Sequence, residues 1–175
     1  MIRGEKVVLR PKKLEDAWND YAWKCDPDLA HLDATTPLSI PFSIYHATYS
    51  QELRYSGAMD HRYAIESLEG KHIGNCSCYN IDHMLGEGEL GILIGDTDYW
   101  DKGYGRDAVT ALVNHVFKER HMRRIYLHTL EDNVRAQRCF ERCGFVARRR
   151  VMRGVHRFIL MEIDRRSLEL VGNPG

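Results

Sequence analysis

Apolar residues recur along this chain in two rhythms, and the switches between them mark out its elements. Val7-Val8-Leu9-Arg10 reads as a short strand stopped by Pro11. From Leu14 to Lys24, apolar positions at Leu14, Ala17, Trp18, Tyr21 and Ala22 follow helical spacing. Pro27, Pro37 and Pro41 punctuate a polar stretch read as irregular. A second helix is expected from Ile44 to Tyr55. Arg62–Glu66 alternates, Lys71–Tyr79 follows a Glu69-Gly70 turn, and the two make a hairpin signal. A third strand runs from Glu87 to Gly95. Ala108, Leu112, Val113, Val116 and Phe117 form an apolar stripe on a helix from Gly105 to Lys118. Arg124–Thr129 is a further strand. A last helix, Asn133–Cys143, is closed by Gly144 as its C-terminal cap. Phe145–Met152 and Val155–Ile163 then form a hairpin around Arg153-Gly154.

This order predicts an α+β fold: a mixed, mostly antiparallel central sheet flanked by helices, in a single domain over residues 1–166. Residues 167–175 are expected to be a disordered tail. Charge is balanced, 25 basic against 25 acidic residues, which removes any global electrostatic case for nucleic acid or an anionic membrane. No apolar run approaches the roughly 20 residues that span a bilayer. The first residues lack an apolar signal core, so a cytoplasmic location is expected. The basic run Arg148-Arg149-Arg150 is split by strict strand alternation, with Arg148 and Arg150 on one face, so it reads as a solvated edge. Five cysteines include the pairs Cys76/Cys78 and Cys139/Cys143. Neither pair has the spacing usual for structural zinc, and no metal is expected.

The chemistry concentrates in Tyr99-Trp100-Asp101-Lys102-Gly103-Tyr104-Gly105-Arg106, where a strand gives way to a helix N-terminus. Such a junction exposes backbone N–H groups at the positive end of a helix dipole, which suits a phosphate or pyrophosphate. Glycine there lets a ligand approach the backbone and tolerates positive φ.

These residues carry a family resemblance. Trp100-Asp101-Lys102-Gly103-Tyr104-Gly105 matches both glycines of the pyrophosphate loop Q/R-x-x-G-x-G/A, and Asn133-Val134-Arg135-Ala136 with Gly144-Phe145 matches a second motif. The chain thus resembles the GNAT family of N-acetyltransferases over almost its whole length. Tryptophan in place of the loop's Gln or Arg resembles the branch that acetylates N-termini of ribosomal proteins. The resemblance implies acetyl-CoA as co-substrate, with its pantetheine arm along Leu90, Ile92 and Ile94 where two strands splay. It places the pyrophosphate on Lys102, Gly103, Tyr104, Gly105 and Arg106, with Asn133 and Phe140 beside the cofactor. Lys102, Arg106, Arg138 and Arg142 are partners for the remaining phosphate.

Transfer to an amine requires a neutral nucleophile, and Glu89 is the expected base, ahead of Glu66 and His128. Many family members carry a tyrosine acid where this chain has Phe140, which has no proton to give; Tyr126 and Tyr104 are the remaining donors. Aromatic and acidic residues between 18 and 66, among them Trp18, Trp23, Asp26, Asp28, Asp33 and Tyr45, are expected to line the acceptor site. The resemblance makes the acceptor an amine, with a protein N-terminus as the main reading and a polyamine or antibiotic as the alternative. It also leaves open a homodimer, and a non-catalytic acyl-CoA-binding domain on the same fold. A dinucleotide site is a poor reading, because Ala108 stands where G-x-G-x-x-G needs its last glycine.

Overall fold

In the computed structural model the alternating segments pair into one sheet, and the structure describes residues 1–55, 61–119 and 121–167. Its strands are β1 (Ile2–Arg3), β2 (Val7–Pro11), β3 (His61–Ser67), β4 (His72–Asp82), β5 (Glu87–Ile94), β6 (Arg124–Leu130), β7 (Val146–Arg153) and β8 (His156–Asp164). They lie side by side in the order β1-β2-β3-β4-β5-β6-β8-β7. Every neighbouring pair is antiparallel except β5 and β6, which run parallel. The helices are α1 (Ala17–Cys25), α2 (Pro27–Leu32), α3 (Phe42–Tyr55), α4 (Tyr104–Val116) and α5 (Val134–Arg142). Among the described residues, no helix is long and apolar enough to cross a membrane.

The expected stripe on α4 is the main packing surface. Ala108, Val109, Leu112, Val113 and Val116 are buried against Val7, Leu9, Ile65, Leu90 and Ile125 of the sheet. Phe140 of α5 joins the same core beside Phe145. Full burial of each such side chain is worth roughly 1.5–3 kcal/mol. The start of α1 is joined to the sheet by polar contacts: buried Arg10 of β2 makes two hydrogen bonds to buried Asp16, at 2.8 and 2.7 Å. Asp16 also accepts from the Lys13 backbone N–H at 2.7 Å.

Several expectations are corrected. Pro11 does not stop β2 but pairs with Tyr63; β1 reaches only Leu9, so beyond it the missing N–H faces no strand. The stretch read as irregular contains α2, begun by an Asp26 carboxylate that accepts from the N–H groups of Asp28 and Leu29, with Pro27 at the first helical position. α3 starts at Phe42, two residues early, and β1 was not anticipated. A bulge between Ala147 and Arg149 breaks the expected alternation; Arg148 reaches Glu162 at 2.5 Å and Arg150 reaches Glu131 at 2.6 Å. β7 is the sheet edge, as the charged run implied. Of the expected tail, residues 168–175 lie outside the described residues.

One interruption in the sheet shapes everything that follows. β5 and β6 pair only at Glu87–Arg124, Gly88–Ile125 and Glu89–Tyr126. β5 continues to Ile94 held by β4 alone, and β6 continues to Leu130 held by β8 alone. A wedge opens between two interior strands, lined by backbone groups with no strand partner.

Asp16 tests the polar seam. Burial raises its pKa, but the Arg10 hydrogen bonds, the Lys13 N–H and the nearby charges of His72 and Arg10 prevail and hold it below the usual carboxylate value. A carboxylate lowered in the folded state contributes stability above the unfolded pKa of about 3.9, and that contribution is lost as pH falls through the folded value. Asp16→Asn, which leaves Arg10 short of a buried partner, should cost about 3–5 kcal/mol at neutral pH. It should also flatten the decline in stability below about pH 4, measured by urea unfolding across pH.

Candidate active site

The wedge begins where Glu89 sits. Register places Glu89, Tyr79 of β4 and Tyr126 of β6 side by side on the face opposite α4. Glu89 is 4% exposed, and a carboxylate so buried needs partners. His128 Nδ1 donates to Glu89 Oε1 at 2.7 Å, and Asn80 Nδ2 donates to Oε2 at 3.1 Å. Tyr79 donates its hydroxyl; burial, then the Glu89 charge and this hydrogen bond, push its pKa up to about 12. Asn80 adopts φ +49° at the bulge that turns β4 toward Asp82. Gly91 lets the Tyr79 ring lie flat, since a Cβ there would stand 3.1 Å from Tyr79 Cε1.

His128 is thereby oriented. With Nδ1–H committed to Glu89, its Nε2 carries the basic lone pair, 3.2 Å from the Arg153 guanidinium in the β7–β8 turn. Arg153 also stands 3.9 Å from Glu89.

Of the other proposed bases, Glu66 is taken by Arg10. Phe140 is 7% exposed in the core, so its role beside a ligand is packing, and it supplies no acid. Tyr126 faces the wedge's mouth; burial, then Glu89 and Glu87, raise its pKa and keep it protonated. Tyr104 packs edge-on against Tyr99.

At the far end of the wedge stands the glycine loop. Gly103 is the residue before α4, with φ +86° and no side-chain cap on the helix, and Asp101 has φ +56°. The leading N–H groups of α4 therefore point outward without a side-chain acceptor. A Cβ at Gly105 would meet Ile94 at 3.6 Å and Cys139 at 3.9 Å, ordinary contacts, so the protein's own packing does not demand glycine there. It points into the gap between β5 and α5. Lys102 donates to the Asp98 carbonyl at 2.7 Å, while Arg106, Arg138 and Arg142 are exposed around the loop. Asn133 caps α5 through its side-chain oxygen, which accepts from Ala136 N–H at 3.2 Å, leaving its amide N–H₂ for a ligand. Leu90 is buried in the core, so its contribution to the wedge is backbone; Ile92 and Ile94 are half-buried beside it.

A cavity of about 940 Å³ opens on the Glu89 face, with Tyr79, Ser77 and Gly91 in one wall. Asp20, Asp33 and Glu52 bring carboxylates to it and Lys12, Lys24 and Arg62 bring cations, beside Trp23, Tyr45 and Tyr49; Lys12 is paired to Asp20 at 2.5 Å. The Tyr49 hydroxyl is buried without a hydrogen-bond partner. Burial, then the Asp20 charge, raises its pKa. Of the residues expected at the acceptor site, Trp23, Asp33 and Tyr45 line this cavity. Trp18 is 60% exposed outside the lining, and Asp26 is spent as a helix cap. Tyr79, Asn80 and Arg153 were missed: only three-dimensional register brings them to Glu89.

Residues 6–146 match the model of the acetyltransferase (GNAT) domain. The chain is 26% identical over 87 residues to the spermidine N(1)-acetyltransferase of Vibrio cholerae, a match covering 50% of each protein. It is 25% identical over 131 residues to an uncharacterized N-acetyltransferase, p20, of Bacillus licheniformis, covering 74% of this chain and 73% of that one. Its fold is similar to that of V. cholerae spermidine N-acetyltransferase solved with CoA and spermine (TM-score 0.79, 19% identity, 93% and 97% of the two chains covered). Aminoglycoside acetyltransferase AAC(6')-Ib with coenzyme A is also similar (TM-score 0.75, 21% identity, 95% and 99% covered). Where the names of these relatives give a substrate it is spermidine or an aminoglycoside, which departs from the expected kinship with ribosomal-protein N-terminal acetyltransferases. A splayed mixed sheet with a glycine loop at the wedge's end, and a family match over residues 6–146, together make this chain a member of the GNAT acetyltransferase family.

Proposed function

We propose that the protein transfers an acetyl group from acetyl-CoA to a primary amine of a small polycation, by direct attack within a ternary complex. The single observation that carries this reading is a cavity lined by carboxylates and aromatic rings, opening beside a buried carboxylate–imidazole pair at a break in the sheet. A volume of about 940 Å³ suits a small molecule. Carboxylates and aromatic rings together in its lining suit the ammonium groups of a small amine. Spermidine and spermine, named for the relatives, are of that chemistry, as are aminoglycosides.

The donor's fit rests on two features: unpaired backbone along Leu90–Ile94, and an uncapped helix N-terminus ringed by Lys102 and Arg106. When bound there, acetyl-CoA supplies an activated acyl carbon and a thiolate leaving group. The chain's residues do the rest. The cavity, through its carboxylates and aromatic rings, takes in the ammonium form of the acceptor. His128, steadied by Glu89, removes its proton directly or through water, leaving an amine free to attack. Arg153 swings from the imidazole to make room, as its exposed position at a turn allows. A strand N–H of β5 left without a partner is available to the developing oxyanion. A thiol of pKa about 8.5 leaves without an acid, so Phe140 does not block the reaction. Tyr126 stands ready as a donor.

Steady-state thiol release tests the pair. Glu89→Gln and His128→Gln should each lower kcat about 10²–10³-fold with little change in KM for acetyl-CoA, and the double variant should be no worse than the poorer single one. Wild-type kinetics in both singles would remove the pair from catalysis.

The acceptor is tested separately with spermidine, spermine, a monoamine, an aminoglycoside and a peptide with a free N-terminus. Turnover should be confined to the polyvalent amines, and Asp33→Asn should raise their KM several-fold. Preference for the peptide would restore the N-terminal reading. Tight CoA binding with no turnover on any acceptor would favour the acyl-CoA-binding alternative.

A further inference from the structure

The turn between β1 and β2 is fastened to the first turn of α4 across about a hundred residues of sequence. The Asp107 carboxylate accepts backbone N–H groups from Glu5 at 3.0 Å, Lys6 at 2.7 Å and Val7 at 3.0 Å. Gly4 makes this possible, because a Cβ there would stand 2.3 Å from Asp107 Oδ2. Three donors converging on one carboxylate absorb a negative charge that would otherwise sit at the end of α4 where an anion is to bind.

The clasp delivers a cation to that same end. Lys6 Nζ donates to the Lys102 carbonyl at 2.9 Å and stands 5.5 Å from the centre of the Tyr104 ring. A Cβ at Gly103 would come within 3.7 Å of the Lys6 ammonium. Lys6 is exposed, and it spends one of its three N–H donors on the Lys102 carbonyl.

We infer that Lys6 is a phosphate-binding residue of the coenzyme A site, carried to the glycine loop by the Gly4–Asp107 clasp. This rests on the acetyl-CoA reading above. The ammonium completes the loop from the side opposite α5, so that the anion meets Lys6 on one flank and Arg106 on the other. Trp100 occupies the loop position where the resembling pattern has Gln or Arg, and a lysine from the distant β1–β2 turn places a positive charge close by.

The test pairs calorimetric titration of coenzyme A with kinetics on a truncated donor, S-acetyl-pantetheine, which lacks every phosphate. Lys6→Ala should weaken coenzyme A binding about tenfold, the effect of one charge-assisted contact. It should also reduce the salt dependence of that binding and leave kcat/KM for S-acetyl-pantetheine unchanged. Lys6→Arg should restore affinity. Asp107→Asn should weaken coenzyme A binding in the same direction by loosening the turn, with a lower melting temperature that Lys6→Ala does not share. Unchanged coenzyme A affinity in Lys6→Ala would overturn the assignment. Equal losses with the truncated donor would do so too, by reducing Lys6 to a structural tie. Failure of the wild-type protein to bind coenzyme A at all would instead bring down the acetyl-CoA reading, and this inference with it.

Discussion

Parallel pairing between β5 and β6 lasts for three residue pairs and then stops, and the architecture of this protein is organised around that break. A sheet interior ordinarily satisfies its own backbone; an opened one presents N–H and C=O groups that need partners. The separation is stable because each strand keeps its other neighbour, β4 for β5 and β8 for β6, over its full length. α4 and α5 then bury the apolar face beneath both halves of the sheet through Leu112, Val116 and Phe140. The opening is thus a fixed slot in a well-packed body, and a ligand that adds hydrogen bonds like those of a strand finds it preformed.

Two buried acid–base clusters sit on the same face of the sheet, and their difference separates structure from chemistry. Arg10 and Asp16 satisfy each other twice, with Glu66, Lys13 N–H and His72 around them, so little is left over. Glu89 and His128 share one hydrogen bond, and the imidazole's outer nitrogen meets only an arginine from an exposed turn. The first cluster is closed on all sides and pins α1 to the sheet. The second is open on the side facing the wedge, beside the cavity. Burial alone would not have told them apart.

The elements with strong periodicity were legible in the sequence: α4 through its apolar stripe, α5 through Gly144, and the loop through Gly103 and Gly105. The glycine loop could be located because it is local, made by consecutive residues at one strand-to-helix junction. What escaped has a common cause. Glu89 and His128 lie 39 residues apart, and their meeting depends on how two parallel strands register. The Asp107 clasp spans 100 residues or more, and no local pattern in Gly4-Glu5-Lys6 announces an acceptor for three N–H groups. Glu66 looked available as a base until Arg10 claimed it. α2 is a different failure, since Asp26-Pro27 is a good helix start and was outweighed by the density of prolines after it. The acceptor's identity is also non-local, because its cavity draws walls from α1, α3 and β4 at once.

The tryptophan that breaks the loop pattern has a structural account. Trp100 donates its indole N–H to the Ile94 carbonyl at 2.7 Å, satisfying the last backbone acceptor of β5 at the wide end of the wedge. Its ring then carries the Arg135 guanidinium, 3.7 Å from the ring centre, on the first turn of α5. A glutamine or arginine at this position offers polar groups directly to a ligand. Tryptophan instead ties β5 to α5 across the opening and brings Arg135 over the loop. Arg135 of α5 and Lys6 of the β1–β2 turn thus join Lys102 and Arg106 around the loop, while Trp100 supplies an aromatic brace that ties the end of β5 to α5.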